Sequence, residues 1–247
     1  SVHKVFPGPV THTKSAIDVG QGPIPVTAIR DPAALNWGHV DIALECTGRF
    51  KSRDKAELYL QAGAKRVLVS APAKGADKTI VYGVNHTTLT ATDTIVSNGS
   101  CTTNCLSPIA KTLHEAFVIE DGLLTTIHAY TGSQPTLDRG NKKWERGRAA
   151  ALSMVPTTTG AAKAVGLVLP ELNGRLNGVA IRVPTPNVSC VDFKFNTTKP
   201  ITIDTVNTAL SNAANGPMQG ILGLEPMPVV SIDLNHDPRS AIVATAE

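Results

Sequence analysis

Two short apolar runs separated by one helical segment are the feature that most constrains the fold of this chain. Residues 41–46 and 67–70 have the length and composition of buried strands, and the apolar spacing between them predicts a helix from Arg53 to a stop at Gly63. Strands joined by a helix run parallel, because the helix returns the chain to the end of the sheet where it started. Strands predicted at 80–82 and 94–97 extend the sheet, and a hairpin is predicted at 10–29. The opening part is therefore predicted to be α/β with a parallel sheet.

After residue 98 the pattern changes to longer strands with looser alternation. Helices are predicted at 101–119, after Thr159 and at 204–214, and strands at 123–130, 179–183, 188–195 and 229–234. Residues 134–148 have no clean period and carry several basic side chains, which predicts a long basic loop. These features favour an α+β unit whose antiparallel sheet is covered by helices on one face. Two domains are therefore predicted, at 1–98 and 99–247.

Charge and composition exclude several classes of partner. Lys and Arg outnumber Asp and Glu by 23 to 20, and charged residues make up 17% of the chain, too weak a bias for a nucleic-acid or membrane surface. The longest apolar runs are much shorter than a membrane-spanning helix. Four cysteines are too few for a disulfide framework, and no leader precedes them. We therefore expect a cytoplasmic protein with no nucleic-acid or membrane partner.

Residues 97–105 combine a cysteine with a predicted helix start. Cys101 would meet the unpaired N–H groups and the positive end of the helix dipole there, which stabilise a thiolate. It is a candidate nucleophile, and a buried structural cysteine is the alternative. Cys105 lies one turn further, but two cysteines at this spacing without a second pair are a poor zinc signature, so no metal site is expected. Cys46, Cys105 and Cys190 are interpreted as packing residues.

His128 is the candidate base for this cysteine. A lone histidine on a strand is more often structural than catalytic. Its strand, however, is predicted to follow the cysteine helix after a short turn at 121–122, so the end of the strand can return to the start of the helix. A Cys101–His128 pair is therefore geometrically plausible.

Groups suited to anions form a third set. Thr159 and Gly160 open a predicted helix, where free N–H groups can hold a phosphate. Arg182 stands inside an apolar strand, where an unpaired charge is costly. Either a bound anion or an internal salt bridge would resolve that cost. The same set includes Ser100, Thr131 and Arg146.

Four motifs together resemble the phosphorylating glyceraldehyde-3-phosphate dehydrogenase family. They are Ser-Cys-Thr-Thr-Asn-Cys at 100–105, Thr-Ile-His at 126–128, Pro-Thr-Thr-Thr-Gly-Ala-Ala-Lys-Ala-Val at 156–165 and Arg-Val-Pro-Thr-Pro-Asn-Val at 182–188. Their specificity and common order make a chance match negligible, and the resemblance covers nearly the whole chain.

The resemblance implies a role for each candidate residue. Cys101 would be the nucleophile and His128 the base. Thr131 and Arg182 would hold the phosphate of glyceraldehyde 3-phosphate, and inorganic phosphate would be held by Ser100, Thr102, Arg146, Thr159 and Gly160. The cofactor, NAD with NADP left open, would contact Arg30, Thr47, Gly48 and Ser70. The product would be 1,3-bisphosphoglycerate, and the complete protein would be a homotetramer.

Two family features are missing from these 247 residues. The family begins with a Gly-x-Gly-x-x-Gly loop that holds the pyrophosphate, and it ends with a segment that reaches the nicotinamide. We therefore interpret the chain as partial, with 1–98 a partial Rossmann-type dinucleotide-binding domain and 99–247 the catalytic and substrate-binding domain. We expect the chain by itself to be inactive. The alternatives are an erythrose-4-phosphate dehydrogenase, a Cys/His hydrolase, and a binding or assembly role without catalysis.

Overall fold

The opening residues form a small antiparallel sheet. The structure, a computed structural model, describes residues 2–246. Strands β1, β2 and β3 pair in that order and comprise Thr11–His12, Ala16–Asp18 and Pro23–Pro25. Both pairings are antiparallel, which confirms the predicted hairpin and adds a third strand to it.

A four-stranded parallel sheet follows. Its strands are Ile42–Glu45 (β4), Arg66–Val69 (β5), Lys78–Thr79 (β6) and Ile95–Ser97 (β7), and their order in the sheet is β4-β5-β7-β6. All three pairings are parallel, and helix α1, Arg53–Gln61, connects β4 to β5. The parallel α/β prediction is therefore confirmed for this part of the chain.

Two predictions about these strands are wrong in detail. The strand predicted at 80–82 lies two residues earlier, because the Asn85 side chain accepts from Val81 N and donates to Thr79 O, which turns the chain out of the sheet. Residues 41–46 are buried on one face only. Ile42 and Leu44 are 56% and 63% exposed, because α1 packs on the opposite face of β4.

Between residues 99 and 246 the structure describes three α-helices and six strands. The helices are Cys101–Phe117 (α2), Ala161–Val168 (α3) and Ile203–Ala214 (α4). The strands are Ile119–Ala129 (β8), Val155–Thr158 (β9), Leu176–Val183 (β10), Cys190–Thr197 (β11), Leu222–Glu225 (β12) and Ala241–Ala244 (β13). The main sheet has the order β11-β8-β10-β9.

This main sheet is mixed. β11 and β9 are antiparallel to their neighbours, whereas β8 and β10 at its centre are parallel, because the long connection through α3 returns the chain to the starting end of β8. The predicted fold class is confirmed, with this one parallel pair inside the expected antiparallel sheet. Side chains from α2, α3 and α4 share one hydrophobic core with β8 and β10, so the helices cover one face as predicted.

The last predicted strand, at 229–234, is wrong. A 3-10 helix occupies Ser231–Leu234, and the Asp233 carboxylate accepts from Val230 N. Pro226 and Pro228 precede this segment and lack the N–H groups that a strand would need. Instead β12 and β13 form a separate parallel pair. No helix in the described residues is both long and apolar enough to cross a membrane.

Candidate active site

Cys101 is the first residue of helix α2. Strand β7 ends at Ser97, Gly99 turns the chain with a φ of 65°, and Ser100 is the N-cap whose Oγ accepts from Thr103 N at 3.1 Å. This local sequence fixes the helix start, so the Cys101 thiol lies among N–H groups that have no partner inside the helix. The residue is exposed, which removes the alternative of a buried structural cysteine.

The Cys101 thiol contacts His128. The distance from Cys101 Sγ to His128 Nε2 is 3.2 Å, so the pair expected from the sequence forms. This hydrogen bond is the largest cause that holds the pKa of Cys101 below its ordinary value, and it outweighs the partial desolvation of the sulfur atom, which acts in the opposite direction although the residue as a whole is exposed. Cys105, one turn further along α2, has no such partner, and burial raises its pKa to about 11.

Strand β8 carries His128 back to the helix start. A left-handed residue, Val118 with φ 60°, ends α2 and reverses the chain directly into β8, and His128 is the second-last residue of that strand. His128 is 8% exposed. Its Nδ1 lies 2.7 Å from Ala129 O and 3.2 Å from Ser189 Oγ.

Arg182 lies beside His128 in the sheet. The parallel register of β10 and β8 pairs these two residues, and Arg182 Nη1 donates to Ala129 O at 2.9 Å and lies 3.0 Å from His128 Nδ1. Its Nε is buried without a hydrogen-bond partner. Within residues 2–246, Arg182 forms no ion pair, so the internal salt bridge considered from the sequence is wrong.

Arg146 is a second cation, close enough to Arg182 for the two charges to interact. Its Nε donates to Thr157 Oγ1 at 3.0 Å and its Nη2 to Thr158 O at 3.3 Å, which ties the basic loop to β9. Burial lowers the pKa of Arg182, and the neighbouring Arg146 charge lowers it further. Two cations close enough to repel one another are stabilised when an anion lies between them.

Of the other predicted anion groups, Thr131 lines one cavity with Cys101 and His128, whereas Thr159 and Gly160 are not part of that lining. Thr159 Oγ1 accepts from Ala161 N at 3.2 Å, and the N-cap of α3 is Gly160, one residue later than predicted. Thr131 Oγ1 lies 2.9 Å from Ser133 Oγ. A cavity of about 480 Å³ contains both catalytic candidates, and its lining includes Cys101, Thr102, His128, Thr131, Asn187, Ser189, Asn235 and His236.

Three of the four predicted cofactor residues lie together. Thr47 and Gly48 follow β4 and Ser70 follows β5, so they share the carboxyl edge of the parallel sheet, the usual place for a ligand in such folds. Ser70 Oγ donates to Glu45 O at 3.0 Å. Arg30 is exposed after β3, and its side chain makes no hydrogen bond or ion pair with any residue of 2–246. The next strand of this edge is β7, which leads directly to Cys101.

A buried carboxylate that sequence reasoning missed organises this edge. Glu45 is 1% exposed and accepts from Thr47 N at 2.8 Å, from Thr47 Oγ1 at 2.6 Å and from Tyr59 Oη at 2.5 Å. An acidic residue inside an apolar run was the available signal, the same one that identified Arg182. Ser189 and Asn235 were also missed, and no local pattern marks either of them.

The interpretation of the remaining cysteines as packing residues needs correction. Cys46 and Cys190 are exposed and Cys105 is half-buried. Cys46 follows β4 at the carboxyl edge of the parallel sheet, and Cys190 begins β11. Only Cys105 packs against the hydrophobic core.

The different surroundings of these cysteines lead to a testable order of reactivity. Because His128 holds the pKa of Cys101 down while burial raises that of Cys105, Cys101 should carry the larger thiolate fraction at neutral pH and alkylate first. Mass mapping after limited iodoacetamide treatment measures the order. Modification of Cys46 or Cys105 ahead of Cys101 would contradict this assignment of the nucleophile.

Comparison with known proteins agrees with this geometry. A family profile described as "Glyceraldehyde 3-phosphate dehydrogenase, C-terminal domain" matches residues 100–247. Relatives named glyceraldehyde-3-phosphate dehydrogenase include one from Cereibacter sphaeroides, 64% identical over 98% of this chain and 73% of its own length, and one from Xanthobacter flavus, 61% identical over 98% and 72%. A third, from Pseudomonas aeruginosa, is 54% identical over 98% of this chain and 72% of its own length. The chain therefore belongs to the glyceraldehyde-3-phosphate dehydrogenase family of oxidoreductases.

Proposed function

We propose that this chain carries the catalytic residues for oxidation of glyceraldehyde 3-phosphate, with inorganic phosphate and a nicotinamide cofactor, to 1,3-bisphosphoglycerate. The observation that carries the proposal is the 3.2 Å approach of Cys101 Sγ and His128 Nε2 at a helix start. Beside this pair lie two arginines, Arg182 and Arg146, neither of which is paired with a carboxylate in residues 2–246. A nucleophile with a base and two anion seats is what this reaction requires.

The chemistry on Cys101 follows from the pair. The proton of the Cys101 thiol passes to His128 Nε2, the thiolate adds to the aldehyde carbon, and the former carbonyl oxygen takes the proton from His128 to give a hemithioacetal. His128 Nε2 then removes that hydroxyl proton while a hydride leaves the same carbon, and the product on sulfur is a thioester. When bound, a nicotinamide dinucleotide supplies the hydride acceptor.

The second cation accounts for the end of the reaction. Inorganic phosphate held by Arg146 and the 157–160 segment attacks the thioester carbonyl, the carbon–sulfur bond breaks, and the Cys101 thiolate is restored. Arg182 and Thr131 hold the phosphate that the substrate already carries. Ser100, Thr102 and Gly160 are assigned to the seat for inorganic phosphate, since they lie at the starts of α2 and α3.

The residues at the carboxyl edge of the parallel sheet fit a dinucleotide. Gly48 has a φ of 70° and open space where a side chain would stand, so its backbone is accessible to a ligand, and Thr47 and Ser70 flank it. We assign NAD, with NADP open, to this edge, and Arg30 to its rim. These residues alone supply few contacts, because the 247 residues contain no Gly-x-Gly-x-x-Gly loop. We therefore expect the chain by itself to bind NAD negligibly and to be inactive.

A chimera tests the function. It joins this chain to the part of the Cereibacter sphaeroides relative that lies outside the matched region, about a quarter of that protein. The measurement is absorbance of reduced nicotinamide with glyceraldehyde 3-phosphate, with and without inorganic phosphate. We expect sustained turnover only with phosphate. Equal turnover without phosphate would indicate that the acyl group is released to water, as in an erythrose-4-phosphate dehydrogenase. Cleavage of an ester with no formation of reduced nicotinamide would indicate a hydrolase.

We also propose that the complete protein is a homotetramer. The face of the main sheet opposite its helices exposes apolar side chains, among them Leu123 at 46% and Val179 at 49%, and such a face is stabilised when a second copy covers it. Sedimentation of the chimera at micromolar concentration should show a tetramer, and Val179→Lys should dissociate it. A monomer before substitution would contradict the proposal.

A further inference from the structure

The surroundings of His128 Nδ1 include a side chain from a distant part of the chain. Ser189 Oγ accepts from Ala129 N at 3.1 Å and lies 3.2 Å from His128 Nδ1. The pairing of β11 with β8 begins at Cys190 and Ile127, so Ser189 lies just before β11. Its side-chain hydroxyl, and not its backbone, accepts the hydrogen bond from Ala129 N. One hydroxyl therefore contacts both the catalytic ring and the backbone next to it.

The backbone before Ser189 is held in an unusual conformation. Val188 has a φ of 61°, a left-handed conformation that is costly for a β-branched residue and persists only where the surroundings impose it. Such residues concentrate at functional sites. Here the left-handed residue directly precedes the one whose hydroxyl reaches His128.

A hydrogen-bonded pair of amide side chains adjoins Val188. Asn187 Nδ2 donates to Asn235 Oδ1 at 2.6 Å, and Asn235 Nδ2 donates to Val2 O at 3.1 Å. His236, which follows Asn235, is also left-handed with a φ of 75°. Four non-glycine residues in the described chain have a positive φ. Two of them, Val188 and His236, directly follow the two members of the Asn187–Asn235 pair.

These residues all belong to one cavity wall. The lining that contains Cys101 and His128 also contains 186–189 and 234–237, so the amide pair fastens two segments to each other beside the reacting atoms. Ring nitrogens of a catalytic histidine are oriented through the hydrogen bonds of the nitrogen that does not react. The wall supplies that contact through Ser189.

We propose that Ser189 is a positioning residue for His128, held in place by left-handed Val188 and the Asn187–Asn235 pair. Together with Ala129 O at 2.7 Å and Arg182 Nη1 at 3.0 Å, its hydroxyl holds the plane of the imidazole so that Nε2 faces Cys101 Sγ. The inference rests on the proposed function, in which this cysteine and histidine are the reacting pair.

The test is the pH profile of Cys101 alkylation by iodoacetamide in the 247-residue chain, followed by mass mapping between about pH 6 and pH 10. Without the Ser189 hydroxyl the ring keeps its contacts with Ala129 O and Arg182 Nη1 but is held less firmly, so the thiolate loses its donor for part of the time. We expect Ser189→Ala to slow alkylation at neutral pH by about three- to tenfold, the range for one lost hydrogen bond. The rates should converge at high pH, where the thiol ionises without help.

Conservative variants separate positioning from packing. Ser189→Thr keeps the hydroxyl, and the exposed site has room for the extra methyl group, so its profile should match that of the unsubstituted chain. Asn187→Ala should shift the profile in the same direction as Ser189→Ala. Alkylation of exposed Cys46 in the same samples is the internal control and should not change.

The ionisable groups around Cys101 and His128 are the same in all these chains, so a shift in the profile reports on the hydroxyl. They are Arg182 from β10, Cys105 from α2, Cys190 from β11, Arg146 behind Arg182, and Tyr130, His236, Asp237 and Arg239 along the cavity.

The outcomes distinguish this inference from the proposed function. If Cys101 is not alkylated ahead of Cys46 in the unsubstituted chain, the proposed function fails. If it is, and the Ser189→Ala profile superposes on the original, Ser189 is not a positioning residue. Should Ser189→Ala fail to fold by its thermal unfolding curve, an unchanged profile in Asn187→Ala overturns the inference equally.

Discussion

Replacing His128 by Asn in the chimera should slow formation of reduced nicotinamide by about 10²–10⁴-fold, the usual loss when a general base is removed. An amide cannot take up the proton of the hemithioacetal hydroxyl. The substitution also removes the hydrogen bond that contributes most to the lowered pKa of Cys101, so less of this thiol is thiolate at neutral pH. Single-turnover absorbance of reduced nicotinamide measures the combined loss.

A second readout and a matched control identify the cause. Alkylation of Cys101 in His128→Asn should require higher pH than in the unsubstituted chain, because the thiol then titrates nearer its ordinary value. His39 is exposed, and His39→Asn should leave both the turnover rate and the alkylation profile unchanged. A His128→Asn rate within about twofold of the original would assign the base to another group.

The two arginines should separate into two kinetic defects. Arg182→Leu should raise the Michaelis constant for glyceraldehyde 3-phosphate, because a charge-assisted contact contributes about 1.5–3 kcal/mol, or about 10- to 150-fold. Arg146→Leu should mainly raise the Michaelis constant for inorganic phosphate by a similar factor. Steady-state rates of the chimera, with each substrate varied in turn, give the two constants.

Neighbouring contacts decide the controls for these variants. Arg182 also donates to Ala129 O, so Arg182→Leu should lower kcat in addition, and Arg182→Lys should recover part of the loss by restoring the charge. Arg148, on the same loop as Arg146, is exposed and paired with Asp138, and Arg148→Leu should leave both constants unchanged. If both arginine variants changed only the constant for the aldehyde, the assignment of two phosphate seats would be wrong.

Local sequence patterns predicted the elements that carry the site. The start of α2 at Cys101 follows from a glycine turn and a serine N-cap within a few residues, and such short-range signals act through the backbone of adjacent residues. The helical crossover between β4 and β5 predicted their parallel pairing. The strand predicted at 229–234 failed because the Asp233 side chain captured a backbone N–H, a local competition that apolar patterning does not detect.

Pairings between distant strands were not accessible in the same way. β8 and β10 are parallel although the alternation of their sequences favoured an antiparallel sheet, because strand direction depends on how the intervening chain crosses the sheet. That pairing sets Arg182 opposite His128. The sequence left open whether Arg182 binds an anion or forms an internal salt bridge. In the described residues this cation has no carboxylate partner.

The sequence by itself determined the family, the helix start that carries Cys101, and the choice of Cys101 and His128 as candidate nucleophile and base, because the motifs and caps that carry them are short and contiguous. Only the tertiary structure decided how the site is held. Cys101 and His128 are 27 positions apart, Arg182 and His128 54, and Ser189 and His128 61. Contacts over such separations depend on strand register and on left-handed backbone conformations at single residues such as Val188. Packing of the whole core, and not the neighbouring residues in the sequence, fixes both of these.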